Sequence, residues 1–526
     1  MNRLLRRLTV FMATAVVVAA CSSPSSSSGG SGSPTRGGTL TIAYPQDPYT
    51  LSPIHDGGEQ GHVIGGLIRD RLVAYDDSEK VVPALATSWE TPDPKTWIFH
   101  LRTDAKFSTG ALVSATDVKY TLDRIRQNDS QIAGVYGTYI NTVTIVDPHT
   151  VNITLNVPYP DLLVDMADDF QLGIVPNNWL ETCGSNCETT VVGAGPFMLK
   201  EWVKGDHLTL ARNPYYYRAP QPYLDSVIFR VVQNPETAIA DLRTGAADVL
   251  YSVPLQDVGT LQKTSNVVVY THGSGLLTEI AMNTAVAPFT SLAVRQAISL
   301  GIDRNAIVQT ALYGYGEVAR GVFPSAMPEY DPSTPAPTYD PDKAKQLLAQ
   351  AGYGPSNPLK FTLRTTTEAF TPDEAVLIQS QLAKIGVQVQ IQQVEKSAFY
   401  GVMFRQPGTD YRQWQAGMAV YFWTTVPRWY VYAQWDKNEY LNSTGVNLPG
   451  GYPDPTLQSL LDQARSGSNP ATLKGLYAQI NNQLNTDALY ALVAYQQNVQ
   501  ASTSKVHGFK AFFEFEYPLR YVWLSK

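Results

Sequence analysis

The chain has 526 residues, of which 44% are hydrophobic and 16% are charged, and its formal net charge is -7. This length suggests about two to four structural units, and the apolar fraction is sufficient for a large core. The acidic balance and the lack of a basic region exclude nucleic acid as an expected partner. After the first 20 residues, no apolar run approaches the length of a membrane-spanning helix.

The N-terminal residues predict export and attachment to a membrane. Three arginines precede an apolar run over 8–20, which is too short for a comfortable membrane span, and Cys21 follows. This pattern predicts a signal peptide over 1–20. Cys21 resembles the lipobox cysteine of bacterial lipoproteins, which implies that it is lipidated and anchors the mature protein to the cell membrane. The alternative is an ordinary secretory signal with a chance cysteine. Residues 21–36 are rich in Ser, Gly and Pro and predict a flexible tether.

The first ordered elements are predicted by periodicity. Alternating apolar residues over 37–44 predict a strand, and 62–72 has the pattern of a helix. Residues 97–102 predict a second strand. Alternation over 143–145 and again over 151–157, on either side of Asp147-Pro148, predicts a hairpin.

The second half alternates helices with strands. Asp340-Pro341 provides an N-cap and a first-turn proline for a helix that should end at Gly352. The segment Thr371-Pro372-Asp373-Glu374 has the pattern of a capping box, and its helix should end at Gly386. Residues 387–391 predict a strand, so this region is typical of an α/β protein. The aromatic segment 509–524 predicts a terminal strand that returns to a core.

Cys183 and Cys187 lie four residues apart in a polar loop. An exported protein reaches an oxidising compartment, so we expect these cysteines to form a local disulfide. A metal site would need two more soft ligands nearby, and the sequence offers none.

From residue 83 onward, several motifs occur in the order of a known family. These segments are Pro83–Glu90, Phe99–Arg102, Lys106–Gly110, Asp117–Tyr120, Gly193–Phe197, Arg212–Tyr216, Asn283, Pro288–Phe289, Val294–Ile298, Ile302–Arg304 and Tyr339–Tyr353. With them the chain resembles, over most of its length beyond residue 37, the extracytoplasmic solute-binding proteins of oligopeptide- and dipeptide-type ABC importers, known as solute-binding protein family 5.

The resemblance implies an α/β protein with the two-lobe periplasmic-binding-protein-like fold, type II, of the large cluster with an extra subdomain. A hinge would join the lobes, and the solute would bind in the cleft between them. We expect the crossings between lobes near 271–278 and near 487–495, with Gly273-Ser274-Gly275 as a flexible element. The implied division is lobe I over 37–275 with an inserted subdomain at about 72–190, lobe II over 276–488, and a C-terminal segment 489–526 that returns to lobe I.

The implied function is a solute-binding lipoprotein that captures peptides outside the membrane and delivers them to an ABC permease and its ATPase. We expect a monomer that needs no cofactor and no metal. In peptide-binding relatives, a Gly-Trp-x-x-Asp segment in lobe II supplies an acid for the peptide amine. The corresponding segment here, Tyr421–Pro427, contains no acid. Glu368 is a candidate substitute, and Arg364 and Arg320 are candidate partners for a peptide carboxylate.

The same segment is rich in aromatic residues, which stack on sugar rings. Trp423 is therefore the first candidate for a cleft contact, followed by Tyr421 and Thr424, and a receptor for oligosaccharides or another small solute is the alternative function. An enzyme is not expected, because the sequence has no nucleophile elbow, no His-Glu-x-x-His and no phosphate-binding loop, and its seven histidines lack metal-ligand spacing. An adhesive or structural role is disfavoured by the family resemblance.

Overall fold

The computed structural model describes most of the chain after residue 32, and residues 34–526 belong to one compact unit. The predicted positions Cys21, Glu368, Trp423 and Thr424 lie outside the described residues. The described ranges are 33–52, 58–76, 78, 80–127, 139–168, 172–187, 189–327, 329–366, 371–403, 410–422, 431–432, 434–438, 442–467, 469–511 and 519–525.

The N-terminal part contains a strand and a helix, followed by a separate four-stranded antiparallel sheet that has its own apolar core. The strand predicted at 37–44, the strand predicted at 97–102 and the hairpin around Asp147 are confirmed. The elements are β1 (Thr39–Tyr44), α1 (Gly58–Ile68), β2 (Val73–Tyr75), β3 (Val81–Pro83), β4 (Ala86–Asp93), β5 (Thr96–Leu101), α2 (Ala115–Gln127), β6 (Ile140–Asp147), β7 (Thr150–Leu155), α3 (Leu162–Asp168) and α4 (Trp179–Cys183).

The first helix ends four residues before its predicted end at Leu72, because a glycine turn closes against its last carbonyl group. The N–H of Gly195 donates to the carbonyl oxygen of Ile68 at 2.8 Å. A Cβ atom on Gly195 would lie 2.6 Å from the Ile68 carbonyl carbon, and one on Gly193 would lie 2.2 Å from the Ile68 oxygen. Only glycine permits this approach, and the chain then continues as β2.

The next elements complete the core of the first lobe. These elements are β8 (Phe197–Val203), β9 (His207–Arg212), β10 (Ser226–Val231), α5 (Pro235–Thr244), β11 (Val249–Leu250) and α6 (Val258–Leu261). Strand β1 pairs in parallel with β10 and β11, and β9 pairs antiparallel with both β10 and β8.

The remaining elements form the second lobe and the return of the chain. The helix after Asp340 is confirmed, since the Asp340 carboxylate accepts from the Lys343 N–H at 2.8 Å and Gly352 follows with a φ of 86°. The elements are β12 (Val267–Met282), α7 (Leu292–Leu300), α8 (Arg304–Thr310), β13 (Gly316–Val318), α9 (Pro341–Gln350), β14 (Lys360–Thr366), α10 (Thr371–Ala383), β15 (Gln388–Val394), α11 (Lys396–Met403), β16 (Ala416–Phe422), α12 (Pro455–Ser466), α13 (Pro470–Asp487), β17 (Tyr490–Thr503), β18 (Val506–His507) and β19 (Trp523–Leu524).

One large sheet runs through both lobes. Its order among the described strands is β15-β14-β16-β12-β17-β11-β1-β10-β9-β8, and β13 pairs with β17. Among the described strands, β12 and β17 join the two halves of this sheet. Strand β17 pairs with β11 near one end and with β13 nearer the other, while β12 pairs with β17 over most of its length and with β16 near its C-terminal end. The fold is therefore the two-lobe α/β architecture that the resemblance implied.

The C-terminal segment returns to the first lobe, but the single strand predicted over 509–524 is wrong in its described parts. Phe509, Leu519 and Val522 are buried in the core formed around β1 and β10. The segment contributes only the two-residue strand β19 and a 3-10 turn at Leu519–Tyr521. Apolar burial brings this segment back, although among the described residues its strand β19 pairs only with the two-residue strand β18.

Candidate functional site

The two strands that cross between the lobes are irregular at the crossing. Strands β12 and β17 pair antiparallel from Val267 to Gly273, and the pairing resumes at Leu277 in a shifted register. A second shift lies between Thr278 and Glu279. Such irregularities bend a strand and increase its local twist. The first shift falls within 271–278, the range predicted for the first crossing.

Two parallel strands of the second lobe end next to this irregularity. Strand β14 is parallel to both β15 and β16. Strand β16 runs antiparallel to β12, so that its last residue, Phe422, lies opposite Leu276. In open α/β sheets, ligands bind outside the carboxyl ends of the parallel strands. The candidate site is therefore the edge where β14 and β16 end beside the crossing.

The residues of these strands separate into two faces. Leu363, Ala416 and Met282 lie in one row and are buried in the core on one face. The next row is Arg364, Gly417 and Ala281, which faces the other side because strand residues alternate.

Glu279 lies two residues from Ala281 on β12 and shares the face of the second row. Helix α11 covers part of this face, since a Cβ atom on Gly417 would lie 2.2 Å from the Met403 sulfur. Met403 thus lies over the row that joins Arg364 to Ala281.

Of the predicted site residues that the structure describes, only Tyr421 lies at this edge. Arg364 pairs with Gly417, the second residue of β16, so it lies about 17 Å along the sheet from the end of β16 at Phe422. Arg364 is partly exposed, and its Nε donates to the Gln392 side chain at 3.3 Å. Tyr421 pairs with Leu277 in the register of β16 and β12. Arg320 is exposed and follows β13, which lies beyond β16, β12 and β17 from β14, so the two arginines are not brought together.

Cys183 and Cys187 form a disulfide in the structure, with their Cα atoms 5.0 Å apart. They lie at the end of α4 and in the turn that follows it. This loop belongs to the part of the chain predicted as the inserted subdomain, away from the carboxyl ends of β14 and β16.

Glu279 is a candidate functional residue that the sequence reasoning missed. Its side chain is fully buried, and neither carboxylate oxygen has a hydrogen-bond partner among the described residues. Burial raises the pKa of Glu279 well above its ordinary value, and the nearby Gln434 amide opposes this rise only in part. Burial raises the pKa values of Tyr490 and Tyr495, and the Glu279 carboxyl adds to both rises, which places both phenol groups near it.

A second buried carboxyl lies on the opposite face of β12. The Thr278 hydroxyl donates to the two carboxylate oxygens of Glu374, at 3.0 and 3.3 Å. Glu374 is fully buried, and this burial raises its pKa to about 8. The residue that was predicted to close a capping box therefore links the first turn of α10 to the crossing strand.

A third acidic group joins residues that are distant in the chain. Asp161 precedes α3 in the part predicted as the subdomain, and burial raises its pKa to about 6. Burial raises the pKa of Glu329, in the second lobe, to about 7, and the Asp161 charge contributes to this rise. Tyr432 and Tyr477 feel the same Asp161 charge. Asp161 therefore faces side chains of the second lobe.

The described residues contain no group of three or more His, Cys, Asp or Glu side chains that could hold a metal ion. Within the same ranges, no helix is both long enough and apolar enough to cross a bilayer.

Comparison with known proteins identifies the family. Residues 80–442 match the family model described as bacterial extracellular solute-binding proteins, family 5 Middle. The chain belongs to this family. Family 5 proteins are extracytoplasmic binding proteins of ABC importers that work with permease and ATPase components, and they are not enzymes.

Individual family 5 relatives differ in the solutes they are named for. The chain is 28% identical over 470 residues to the glutathione-binding protein GsiB of Pectobacterium atrosepticum, covering 88% of this chain and 89% of that protein. The periplasmic binding protein DppA of Helicobacter pylori, solved with the peptide STSA, superposes with a TM-score of 0.80 at 27% identity, covering 94% of this chain and 99% of that one. The binding protein AgaA of A. tumefaciens, solved with agropinic acid, also gives 0.80 at 27% identity, covering 93% and 99%.

Proposed function

We propose that this family 5 protein captures short peptides outside the membrane and delivers them to its permease. The observation that carries the proposal is Arg364, which lies on β14 two residues before the end of the strand. Its guanidinium is partly exposed, and no acidic side chain among the described residues pairs with it. A peptide carboxylate is a suitable partner, because a guanidinium binds a carboxylate through charge-assisted hydrogen bonds. A neutral oligosaccharide has no such charge.

The comparisons support a peptide-like solute. One relative is named for glutathione, which is itself a peptide, and one solved structure contains a tetrapeptide. The agropinic acid bound by a third protein also has a carboxylate, so an acidic group is common to all three ligands. We therefore rank a solute with a free carboxylate above an oligosaccharide.

The test is a thermal-shift screen of the full chain in detergent. The panel contains Ser-Thr-Ser-Ala, glutathione, and a neutral oligosaccharide series. A ligand at about 100 times its dissociation constant stabilises the folded state by about 2.7 kcal/mol. We expect peptides to raise the melting temperature, and Arg364→Gln to weaken this effect. Stabilisation by the neutral sugars alone would refute the proposal and establish the alternative function.

We also propose that the mature protein is anchored to the cell membrane by lipid on Cys21, followed by the tether 22–36. Stable anchoring needs more than one acyl chain, which the lipoprotein pattern implies. Cells grown with labelled palmitate should incorporate label into the wild-type protein and not into the Cys21→Ala variant. Equal labelling of both proteins would contradict the anchor.

A further inference from the structure

Glu279 has a position and a chemistry that nothing in the rest of the lobe explains. It lies in a strand whose neighbouring residues are Leu277, Ile280, Ala281 and Met282, all buried. Both carboxylate oxygens lack hydrogen-bond partners among the described residues. A buried polar group without a partner costs about 1–3 kcal/mol, and more when it is charged. Selection would remove such a cost at a purely structural position, because an apolar residue fits the same strand.

The groups around Glu279 are polar, but among the described residues they include no positive charge that would compensate an ionised carboxylate. The Gln434 amide is close enough to lower the pKa of Glu279, yet neither its nitrogen nor its oxygen completes a hydrogen bond of good geometry. The Trp435 indole nitrogen is also buried without such a bond. The Tyr495 hydroxyl donates to the Val322 carbonyl. Among the described residues, no cation forms an ion pair with Glu279.

The location of this cluster connects it to the proposed site. Glu279 is three residues beyond Leu276, which pairs with the last residue of β16. Three residues of strand span about 10 Å. The Glu279 position therefore lies about 10 Å along the strand from the end of β16 and the irregular crossing. Tyr495 pairs with Leu277 on the other side of β12.

We propose that Glu279, supported by Gln434, binds the free amino group of the captured peptide. The ammonium supplies the positive charge that the cluster lacks, and Gln434 and Trp435 supply further polar contacts. This inference rests on the proposed peptide function, and it names the group that replaces the acid missing from Tyr421–Pro427. It also differs from the sequence-based candidate Glu368.

Binding by this route changes the protonation of Glu279. Burial disfavours the charged form of Glu279 and raises its pKa, which favours the protonated carboxyl in the free protein. An ammonium group is stabilised beside Glu279 only when the carboxyl is ionised. Binding of the peptide amine therefore causes Glu279 to lose its proton to the buffer. Capture of a peptide with a free amino group should thus release about one proton, whereas an N-acetylated peptide should release none.

Isothermal titration in two buffers with different ionisation enthalpies tests this directly. The full chain in detergent is titrated with Ser-Thr-Ser-Ala and with N-acetyl-Ser-Thr-Ser-Ala at pH 7. We expect the free peptide to bind at least tenfold more tightly, with release of about one proton. Equal affinities, or equal proton release for the two peptides, would overturn the inference without any variant.

Two variants sharpen the result. Glu279→Gln should bind both peptides with similar affinity and release no proton. The matched control, Glu374→Gln, removes an equally buried carboxyl from the opposite face of β12 and should retain the preference for the free amine. A Glu279→Gln protein that keeps both the preference and the proton release would overturn the assignment. If neither peptide binds the wild-type protein, the peptide function itself fails, and this inference fails with it.

Discussion

The acidic groups Asp161 and Glu329 predict that lobe closure depends on pH. Burial raises the pKa of Asp161 from 3.8 to about 6, and burial together with the Asp161 charge raises the pKa of Glu329 from 4.5 to about 7. Tyr432 and Tyr477 also interact with this charge, and Lys474 lowers the pKa of Glu329. Because Asp161 lies in the part predicted as lobe I and Glu329 in the part predicted as lobe II, separating these parts would return the two carboxyls to water.

The size and sign of the effect follow from these values. A rise of one pKa unit corresponds to about 1.4 kcal/mol, so each carboxyl contributes at most about 3 kcal/mol against closure when it is ionised. Both acids have a raised pKa in the closed form, so closure is fully favoured below about pH 4 and loses this contribution as the pH rises towards about 7. Peptide affinity should therefore weaken between these limits through these two groups.

The assay compares the wild-type protein with the double variant Asp161→Asn/Glu329→Gln, using the peptide with the largest thermal shift. The two proteins should bind with similar affinity at pH 4. At pH 8 the double variant should bind more than about tenfold more tightly, since it has no charge to bury. The control Asp93→Asn/Glu236→Gln removes two exposed acids and should follow the wild type. An affinity ratio that stays constant from pH 4 to pH 8 would refute the reasoning.

Three further variants test stability. Between about pH 4.5 and pH 8 the Glu374 carboxyl is protonated only in the folded state, so the wild-type protein should lose up to about 1.4 kcal/mol of stability per pH unit as the pH rises. The Glu374→Gln variant should not show this loss. Thermal unfolding of both proteins at pH 5 and pH 8 measures the difference, and equal pH dependence of the two would contradict the prediction. Gly195→Ala should destabilise the protein by about 3 kcal/mol or more, because its methyl group overlaps the Ile68 backbone; an unchanged melting temperature would show that the turn adapts. The double variant Cys183→Ser/Cys187→Ser lacks the disulfide, which closes only a very short loop, so its free energy of unfolding should fall by about 2 kcal/mol at most. Its peptide affinity in titration should be unchanged, and a large loss of affinity would place this loop in the site.

Local signals in the sequence were sufficient for many elements of the fold. The Asp340 cap and the Gly352 stop predicted α9 correctly, because capping chemistry involves only neighbouring residues. Alternation predicted β1 and the hairpin of β6 and β7 for the same reason. The end of α1 was predicted four residues too late, since it depends on Gly195, which is distant in the sequence. The C-terminal segment was likewise recognised as apolar, while the pairing of β19 with the short strand β18 could not be read from its composition.

The candidate site was harder to predict. Reasoning from family motifs directed attention to the segment after β16 and to isolated arginines. Of these, Arg364 lies on β14 beside the start of β16, and Arg320 lies several strands away. Glu279 was overlooked, although an acid between Thr278 and Ile280 in an apolar strand is a visible signal. Its significance depends on complete burial and on the lack of partners, and both properties arise only when β12, β16 and β17 assemble. Sequence patterns identify charges, whereas the fold decides which charges are left uncompensated.

The shared sheet limits how the lobes can move. Two hydrogen-bonded strands cannot slide past each other without breaking their ladder, so translation of one lobe along the other is resisted by β12 and β17. Bending is opposed least at the register shifts near Gly273 and Leu277, where the ladder is already interrupted. The two strands therefore act as a hinge that bends easily in one direction and resists sliding. Different solutes would then lead to nearly the same final outline, which allows a single permease surface to recognise every loaded receptor.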